Sequence, residues 1–243
     1  MPLEVTRPVR AHGVQVGGML RRRLVLRGTN DSARPPVGIP ELDEDVVERT
    51  GVRVTSPLRT CFDLMRERSL VEAVVVADAF LNAGAVQTDE LFDYCDDRRR
   101  WPHVRRARTA ARLAHAGARS PGETRLRCIV VLAGYPEPLV NVPVHTSDGI
   151  HLGTPDLTLV GRRWVHLEYD GAYHDEAAQH GRDLRRQNNL LRSAQTPLLR
   201  YDWRHVLRER DLVVHDVSAA TGRAPRYELE EADFRRPIQQ LRW

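Results

Sequence analysis

Thr154-Pro155-Asp156-Leu157-Thr158-Leu159-Val160, Gly161-Arg162-Arg163 and Trp164-Val165-His166-Leu167-Glu168-Tyr169-Asp170 read together as two strands joined by a short turn. Closing the hairpin at Gly161-Arg162-Arg163 sets Val160 opposite Trp164, Thr158 opposite His166 and Asp156 opposite Glu168. Opposed residues share a face of the sheet, with Cβ atoms about 5 Å apart. Leu157, Leu159, Val165, Leu167 and Tyr169 fall on the other face, which is apolar and suited to pack on a helix. A slip of one residue would turn that whole set outward, so the alternation specifies the register strongly.

Two neighbouring carboxylates repel, and one pKa rises unless a positive charge stands between them. A divalent metal is the usual remedy, and oxygen ligands of this kind select Mg²⁺ or Mn²⁺. Asp156 and Glu168 are therefore the candidate metal ligands, and Asp170 continues the acidic face. The competing reading is a solvated polar face, with Asp170-Gly171 as a strand-ending turn.

Working outward, Ser120-Pro121-Gly122-Glu123 reads as a capping box with proline at the first helical position. Leu126, Ile129, Val130 and Ala133 give that helix an apolar face, and Gly134 closes it. Glu123 lies at the start of this helix, either as its capping glutamate or as a third acid approaching the hairpin. Strand-like runs cover roughly 138–145, 153–160 and 163–170, followed by a polar helix over about 175–193. A strand over 197–202 and a helix from Trp203 complete an α-β-β-β-α-β-α series. The fold class is α/β: a mostly helical N-terminal region, then an αβββαβ core with a mixed sheet.

Ser120-Pro121-Gly122-Glu123-Thr124-Arg125-Leu126-Arg127, Thr154-Pro155-Asp156-Leu157, Glu168-Tyr169-Asp170-Gly171-Ala172-Tyr173-His174 and Asp183-x-x-Arg186 follow one another in this order. Together they resemble the Vsr-like (very-short-patch-repair) branch of the PD-(D/E)XK nuclease superfamily, over about residues 118–212. The resemblance implies a restriction-endonuclease-like core and Mg²⁺-dependent (or Mn²⁺-dependent) hydrolysis of DNA phosphodiester bonds. It implies Asp156 as principal metal ligand and Glu168 as the acid of the final motif, with a neighbouring backbone carbonyl completing the coordination. Glu123 would be the first-helix acid, ligating through water or orienting the metal.

The chain departs from the superfamily pattern at Asp170, where the pattern has a lysine. No lysine occurs anywhere in the 243 residues, so all 37 of the Lys+Arg total are arginine. Members of the Vsr-like branch also lack that lysine and employ histidines. His174, six residues after Glu168, is the candidate general acid or base, with an ordinary pKa suited to work near neutrality. The competing reading is a hydrogen-bonded residue at a strand end. Asp183 and Arg186 are one helical turn apart and admit two readings. They form an ion pair worth a few tenths of a kcal/mol, or Asp183 orients His174 while Arg182, Arg185 and Arg186 face phosphates. Arg200, on the last strand, either reaches the edge of the site as a nucleic-acid contact or has a structural role.

Four segments are expected: an irregular, partly β stretch over 1–50, a helical region over 51–116, the nuclease-like core over 117–215, and a tail over 216–243. Leu24-Val25-Leu26 reads as a strand, and the weakly patterned tail as a strap or a disordered end. Ser56-Pro57 caps a helix carrying Cys61, Phe62, Leu64 and Met65, and the nearly all-apolar run Leu70 to Leu81 reads as a buried one. Gly51-Val52-Arg53-Val54-Thr55-Ser56-Pro57-Leu58-Arg59-Thr60-x-x-Asp63-Leu64 resembles the AbiEi-type abortive-infection antitoxins. That resemblance implies DNA binding and a toxin or defence-system partner.

Seven arginines lie between Arg98 and Arg112 with no acid among them. Val104, Ala107, Ala111 and Ala114 form one stripe at helical spacing, and Arg105, Arg108 and Arg112 another. The arginine stripe is either a solvated face or a contact to nucleic-acid phosphates. A second dense block runs from Arg182 to Arg192.

The formal net charge is +4. No apolar run approaches the ~18 residues of a membrane helix, and Met1 to Gln15 lacks the apolar core of a secretory signal. Cys61, Cys95 and Cys128 stand far apart, which fits a reducing cytoplasm better than a zinc ribbon or disulfide framework. The lysine-free composition excludes Schiff-base chemistry and a P-loop. What remains is a cytoplasmic DNA endonuclease or nickase of repair or phage defence, or a DNA-binding regulator with the same domain but no chemistry.

Overall fold

The hairpin forms in the expected register. In the computed structural model Thr158 faces His166, Leu157 faces Leu167 and Leu159 faces Val165 across an antiparallel pair. The structure describes residues 3–7, 19–23, 45–49, 52–146, 148–171 and 196–235. The expected strand at Leu24-Val25-Leu26 and the polar helix over 175–193 lie outside them. The chain divides into two compact units, Met1–Asp63 and Leu64–Trp243.

In the first unit, β1 (Leu3–Arg7) runs parallel to β2 (Met19–Arg23), and β3 (Val46–Arg49) runs antiparallel to β4 (Val52–Thr55). Helix α1 (Pro57–Arg66) starts where proline at the first position and serine before it predict. Ser56 Oγ accepts the Arg59 N–H at 3.2 Å. Arg59 is fully buried, donating to Asp63 Oδ2 at 2.5 Å and Asp45 Oδ2 at 2.8 Å. The polar residues of the antitoxin-like motif are thus occupied in capping α1 and in a buried ion-pair cluster.

The last residues of α1, from Leu64, belong to the second unit, which continues with α2 (Leu70–Asn82), α3 (Thr88–Asp97), α4 (Val104–Leu113) and α5 (Pro121–Leu132). A four-stranded mixed sheet follows, built from β5 (Leu139–Val140), β8 (Leu157–Leu159), β9 (Val165–Tyr169) and β10 (Leu198–Tyr201). Its order is β10-β9-β8-β5, with β10 parallel to β9 and the other pairs antiparallel. A separate hairpin, β6 (Val144–His145) with β7 (His151–Gly153), stands between β5 and β8 in sequence. Its tip includes Asp148-Gly149, with Gly149 at φ +81°. The single strand expected over 138–145 is broken in two after Val140, where Asn141 takes φ +52°. Helices α6 (Trp203–Leu207), α7 (Arg210–Thr221) and α8 (Glu231–Phe234) close the unit. No helix among the described residues is long and apolar enough to cross a membrane.

Leu126, Ile129, Val130 and Ala133 of the α5 segment bury against Leu157, Leu159, Val165 and Leu167, with Val213 and Val217 of α7 in the same core. Fully burying a leucine or valine is worth about 1.5–3 kcal/mol, so this face holds helix and sheet together. The two units part after Asp63, and polar contacts join α2 to α5 across the boundary expected after residue 116. Arg125 makes a bidentate pair with Glu72 at 2.6 and 2.8 Å, and Thr124 Oγ1 donates to Asp78 at 2.8 Å. The expected tail begins inside α7 and also holds α8; between them, residues 223–226 lie against the end of α5. Arg226 donates its N–H to Ala133 O at 2.8 Å, and Tyr135 donates its hydroxyl to Arg223 O at 3.0 Å. Gly134 (φ +86°) permits this approach, since a Cβ there would lie 2.6 Å from Arg226 Cβ.

Candidate functional site

Neighbouring residues of a strand send their N–H groups to opposite sides. His166 and Asp170 donate toward the β10 side, to Pro197 O at 2.9 Å and Tyr201 O at 2.7 Å. The Tyr169 N–H therefore points toward β8, which has ended at Leu157. Asp156 Oδ2 accepts it at 2.8 Å. The carboxylate thus extends the ladder by one bond and is held against the end of β9. Asp156 and Tyr169 are both half-buried.

Glu168, the residue opposite Asp156, turns to the other neighbouring strand. It is paired in register with Arg200, whose Nε and Nη2 donate to Glu168 Oε2 at 3.1 and 2.9 Å. Arg200 is thus the cation beside the acidic face, a role that sequence reasoning assigned to a metal. Both of its bonds fall on one oxygen.

Glu123 is buried, with its Oε2 accepting from Arg119 N–H and from Asn141 Nδ2, each at 2.9 Å. Ser120 caps α5 by accepting the Glu123 N–H at 3.2 Å. The reciprocal half of the expected capping box goes to Arg119, not to Ser120. Asn141 is the link that the sequence reading missed. Its own N–H donates to Asp156 O at 2.9 Å, so one side chain and one amide connect Glu123 to the strand that carries Asp156. Its φ of +52° was the available signal, since asparagine is among the few residues that tolerate that region.

Beneath the acids on the same face, Thr158 Oγ1 and His166 Nδ1 are 2.9 Å apart and fully enclosed. Burial pushes the His166 pKa below its ordinary value, because it disfavours the charged ring. The Tyr169 ring lies over Gly122 in the first turn of α5, where a Cβ would come within 1.9 Å of it. Gly122→Ala should therefore lower stability by about 1–3 kcal/mol through overpacking, against the ~1 kcal/mol that alanine gains over glycine in a helix. Thermal unfolding reads the sign: an unchanged or raised midpoint would mean that the ring yields freely.

The structure brings Asp156, Glu168, Glu123 and Arg200 to one end of the sheet. Asp170 is exposed there, its N–H bound to Tyr201 O. His174, Arg182, Asp183, Arg185 and Arg186 lie outside the described residues. Among the described residues no three His, Cys, Asp or Glu side chains cluster to hold a metal ion. Comparison with protein families, curated proteins and solved structures finds no match to this chain.

The arginine stripe of α4 proves uneven. Arg108 Nη2 lies 2.7 Å from Asp96 Oδ1, and Arg99 Nη2 lies 2.5 Å from Asp96 Oδ2. The Arg99 hydrogen bond, then the Arg108 charge, hold the Asp96 carboxyl below its usual range. Arg112 stands over the Phe92 ring, 5.6 Å from its centroid. Of the three expected contacts to nucleic acid, Arg105 is the exposed one without such an engagement. The apolar stripe buries Val104, Ala107, Ala110 and Ala111, while Ala114 falls just past the helix end.

Proposed function

We propose that this protein hydrolyses DNA phosphodiester bonds, as an endonuclease or nickase dependent on Mg²⁺ or Mn²⁺, in a repair or phage-defence setting. The observation that carries this reading is the hairpin register, Leu157 with Leu167 and Thr158 with His166, whose continuation by one residue would set Asp156 opposite Glu168. The strand order β10-β9-β8-β5, with α5 packed on it and β10 parallel to β9, supports a restriction-endonuclease-like arrangement. The donors are carboxylate oxygens, the type that Mg²⁺ and Mn²⁺ take, and Arg200 occupies only one oxygen of Glu168. Asp156 and Glu168 would hold the ion, with Glu123 fixed behind them by Asn141. The bound ion supplies Lewis-acid polarisation of the phosphate and a lowered pKa for water.

Arg200 is always charged and cannot give up a proton at working pH. It can hold a phosphate or balance Glu168, but it cannot serve as general acid. With no lysine in the chain, proton transfer falls to a histidine, and His174 is the candidate. The second reading, a DNA-binding regulator without chemistry, is favoured by the Glu168–Arg200 ion pair, since an acidic face already neutralised by arginine has less need of a metal. A nicking assay on supercoiled plasmid separates the two. Nicking with Mg²⁺ that stops in EDTA supports the hydrolase. Retarded DNA without cleavage in any divalent metal overturns it and leaves the regulator.

A further inference from the structure

Val144-His145 and His151-Leu152 alternate apolar and polar residues, so pairing β6 with β7 turns both histidines to one face of the hairpin. Val144 and Leu152 bury together as a small core of their own. His145 stands opposite His151 on the outer face, and both are exposed. Their ring centres are 5.3 Å apart, with the planes at 60°. The tip between them is fastened by its own hydrogen bonds. Thr146 N–H donates to Ile150 O at 2.9 Å, Gly149 N–H to Thr146 O at 3.0 Å, and Ile150 N–H to Thr146 Oγ1 at 3.0 Å. The bond from Asn141 N–H to Asp156 O closes the base of the same excursion. The two imidazoles are therefore held side by side before any ligand arrives.

We propose that His145 and His151 bind one Zn²⁺ ion between them, with water in the remaining positions of a tetrahedral shell. Imidazole nitrogen suits zinc, copper and nickel, whereas Mg²⁺ and Mn²⁺ prefer oxygen. The ring separation selects among the three. At a Zn–N length of about 2.0–2.1 Å, two imidazoles at the tetrahedral angle bring their ring centres to about 5.2 Å. The right angle of a tetragonal Cu²⁺ or Ni²⁺ site would draw them in to about 4.5 Å. His151 also has the support typical of a ligating imidazole, since its Nε2 lies 3.3 Å from Thr154 Oγ1. Donation from Nε2 to that oxygen fixes the tautomer and leaves the Nδ1 lone pair for the ion. Edge-to-face packing alone brings aromatic rings to a similar distance, and it is what remains if the chain takes no zinc. The assignment does not depend on the hydrolytic reading, because it uses none of the residues of the acidic hairpin.

The test is isothermal titration calorimetry of the full chain with zinc chloride, in a large excess of Mg²⁺ to compete for carboxylate oxygens. The parent should bind one zinc more per chain than the double variant His145→Ala/His151→Ala. Either single replacement should weaken that site by at least ~10-fold, since loss of even an outer partner costs about 10–100-fold. Thr154→Val should weaken it about 10-fold, while Thr154→Ser, which keeps the hydroxyl, should bind like the parent. Both histidines are exposed, so their replacement leaves the fold intact. Equal zinc uptake by the parent and the double variant overturns the proposal, and so does a parent chain that takes none. Plasmid nicking in Mg²⁺ should be the same in the double variant as in the parent. Absence of nicking in a chain that takes up the zinc sinks the hydrolase alone.

Discussion

Asp156→Asn should abolish plasmid nicking while leaving the thermal midpoint nearly unchanged. The asparagine carbonyl can accept the Tyr169 N–H that Asp156 Oδ2 now takes at 2.8 Å, so the extra bond at the end of the ladder survives. The negative charge does not survive, and with it goes the affinity for a divalent ion. Removing a preorganised electrostatic contact to the reacting centre costs on the order of 10²–10³ in rate, and a lost metal ligand should cost at least that. Asp156→Ala removes both the charge and the acceptor. It should add about 1–3 kcal/mol of instability, because the Tyr169 N–H is left without its partner. The pair of variants separates chemistry from support. Full nicking activity in Asp156→Asn would make Asp156 a structural acceptor and end its candidacy as a metal ligand.

The register of the hairpin was legible because one face had to be apolar and the turn was short. Thr158 opposite His166 follows from those two constraints alone. The cap at Ser56 and the buried face of α5 were legible for similar reasons: each is a local pattern with a short-range physical cause. Arg200 beside Glu168 was only partly legible, since the pairing crosses 32 positions of sequence and depends on β10 lying parallel in one register. Sequence reasoning supplied the need for a positive charge there, and the fold met it with a side chain. Asn141 escaped notice because its role joins a positive φ to a side-chain contact, and neither has a periodic signature. The spacing of the α4 arginines gives no sign that Arg108 is engaged, because its partner Asp96, shared with Arg99, lies on another helix.

The lysine-free composition sharpens what the site can do. An arginine on β10 fixes charge but moves no proton. The candidate carboxylates each have a partner: Asp156 the Tyr169 amide, Glu168 Arg200, and Glu123 Arg119 and Asn141. A site arranged in this way has its electrostatics set before any substrate arrives. Such preorganisation serves a hydrolase, and it equally serves a module that only grips phosphate. Activity in metal decides between them.

Asp78→Ala should cost about 3–5 kcal/mol of folding stability, the range for breaking a buried ion pair by removing one partner. The run from Leu70 to Leu81 reads as a buried apolar helix, and Asp78 is the acid in its second half. In the structure Asp78 is 2% exposed and collects its donors from three places. Its Oδ1 accepts the His115 N–H at 2.7 Å, and its Oδ2 accepts Thr124 Oγ1 at 2.8 Å and Arg127 Nη2 at 3.3 Å. Arg127 is enclosed as well, donating also to Leu113 O at 2.5 Å and Glu137 at 2.7 Å. Burial raises the Asp78 carboxyl above its ordinary pKa, and Arg127 with the His115 and Thr124 bonds oppose that rise. Desolvation being the larger effect, the pair adds little net stability while it is intact, yet its disruption is expensive. Alanine at 78 would remove one of the two carboxylates on Arg127, leaving Glu137 as its counter-ion, and would leave the Thr124 hydroxyl and the His115 amide without their acceptor. Since a domain of this kind has a total stability of roughly 5–15 kcal/mol, the variant should unfold at much lower urea. Adding Arg127→Met should recover part of the loss, because it removes a buried charge that has lost one of its two carboxylates, with a coupling of about 0.5–3 kcal/mol in the double-mutant cycle. A midpoint for Asp78→Ala within about 1 kcal/mol of the parent would show that water reaches Arg127, and that the link between α2 and α5 rests on their apolar contacts.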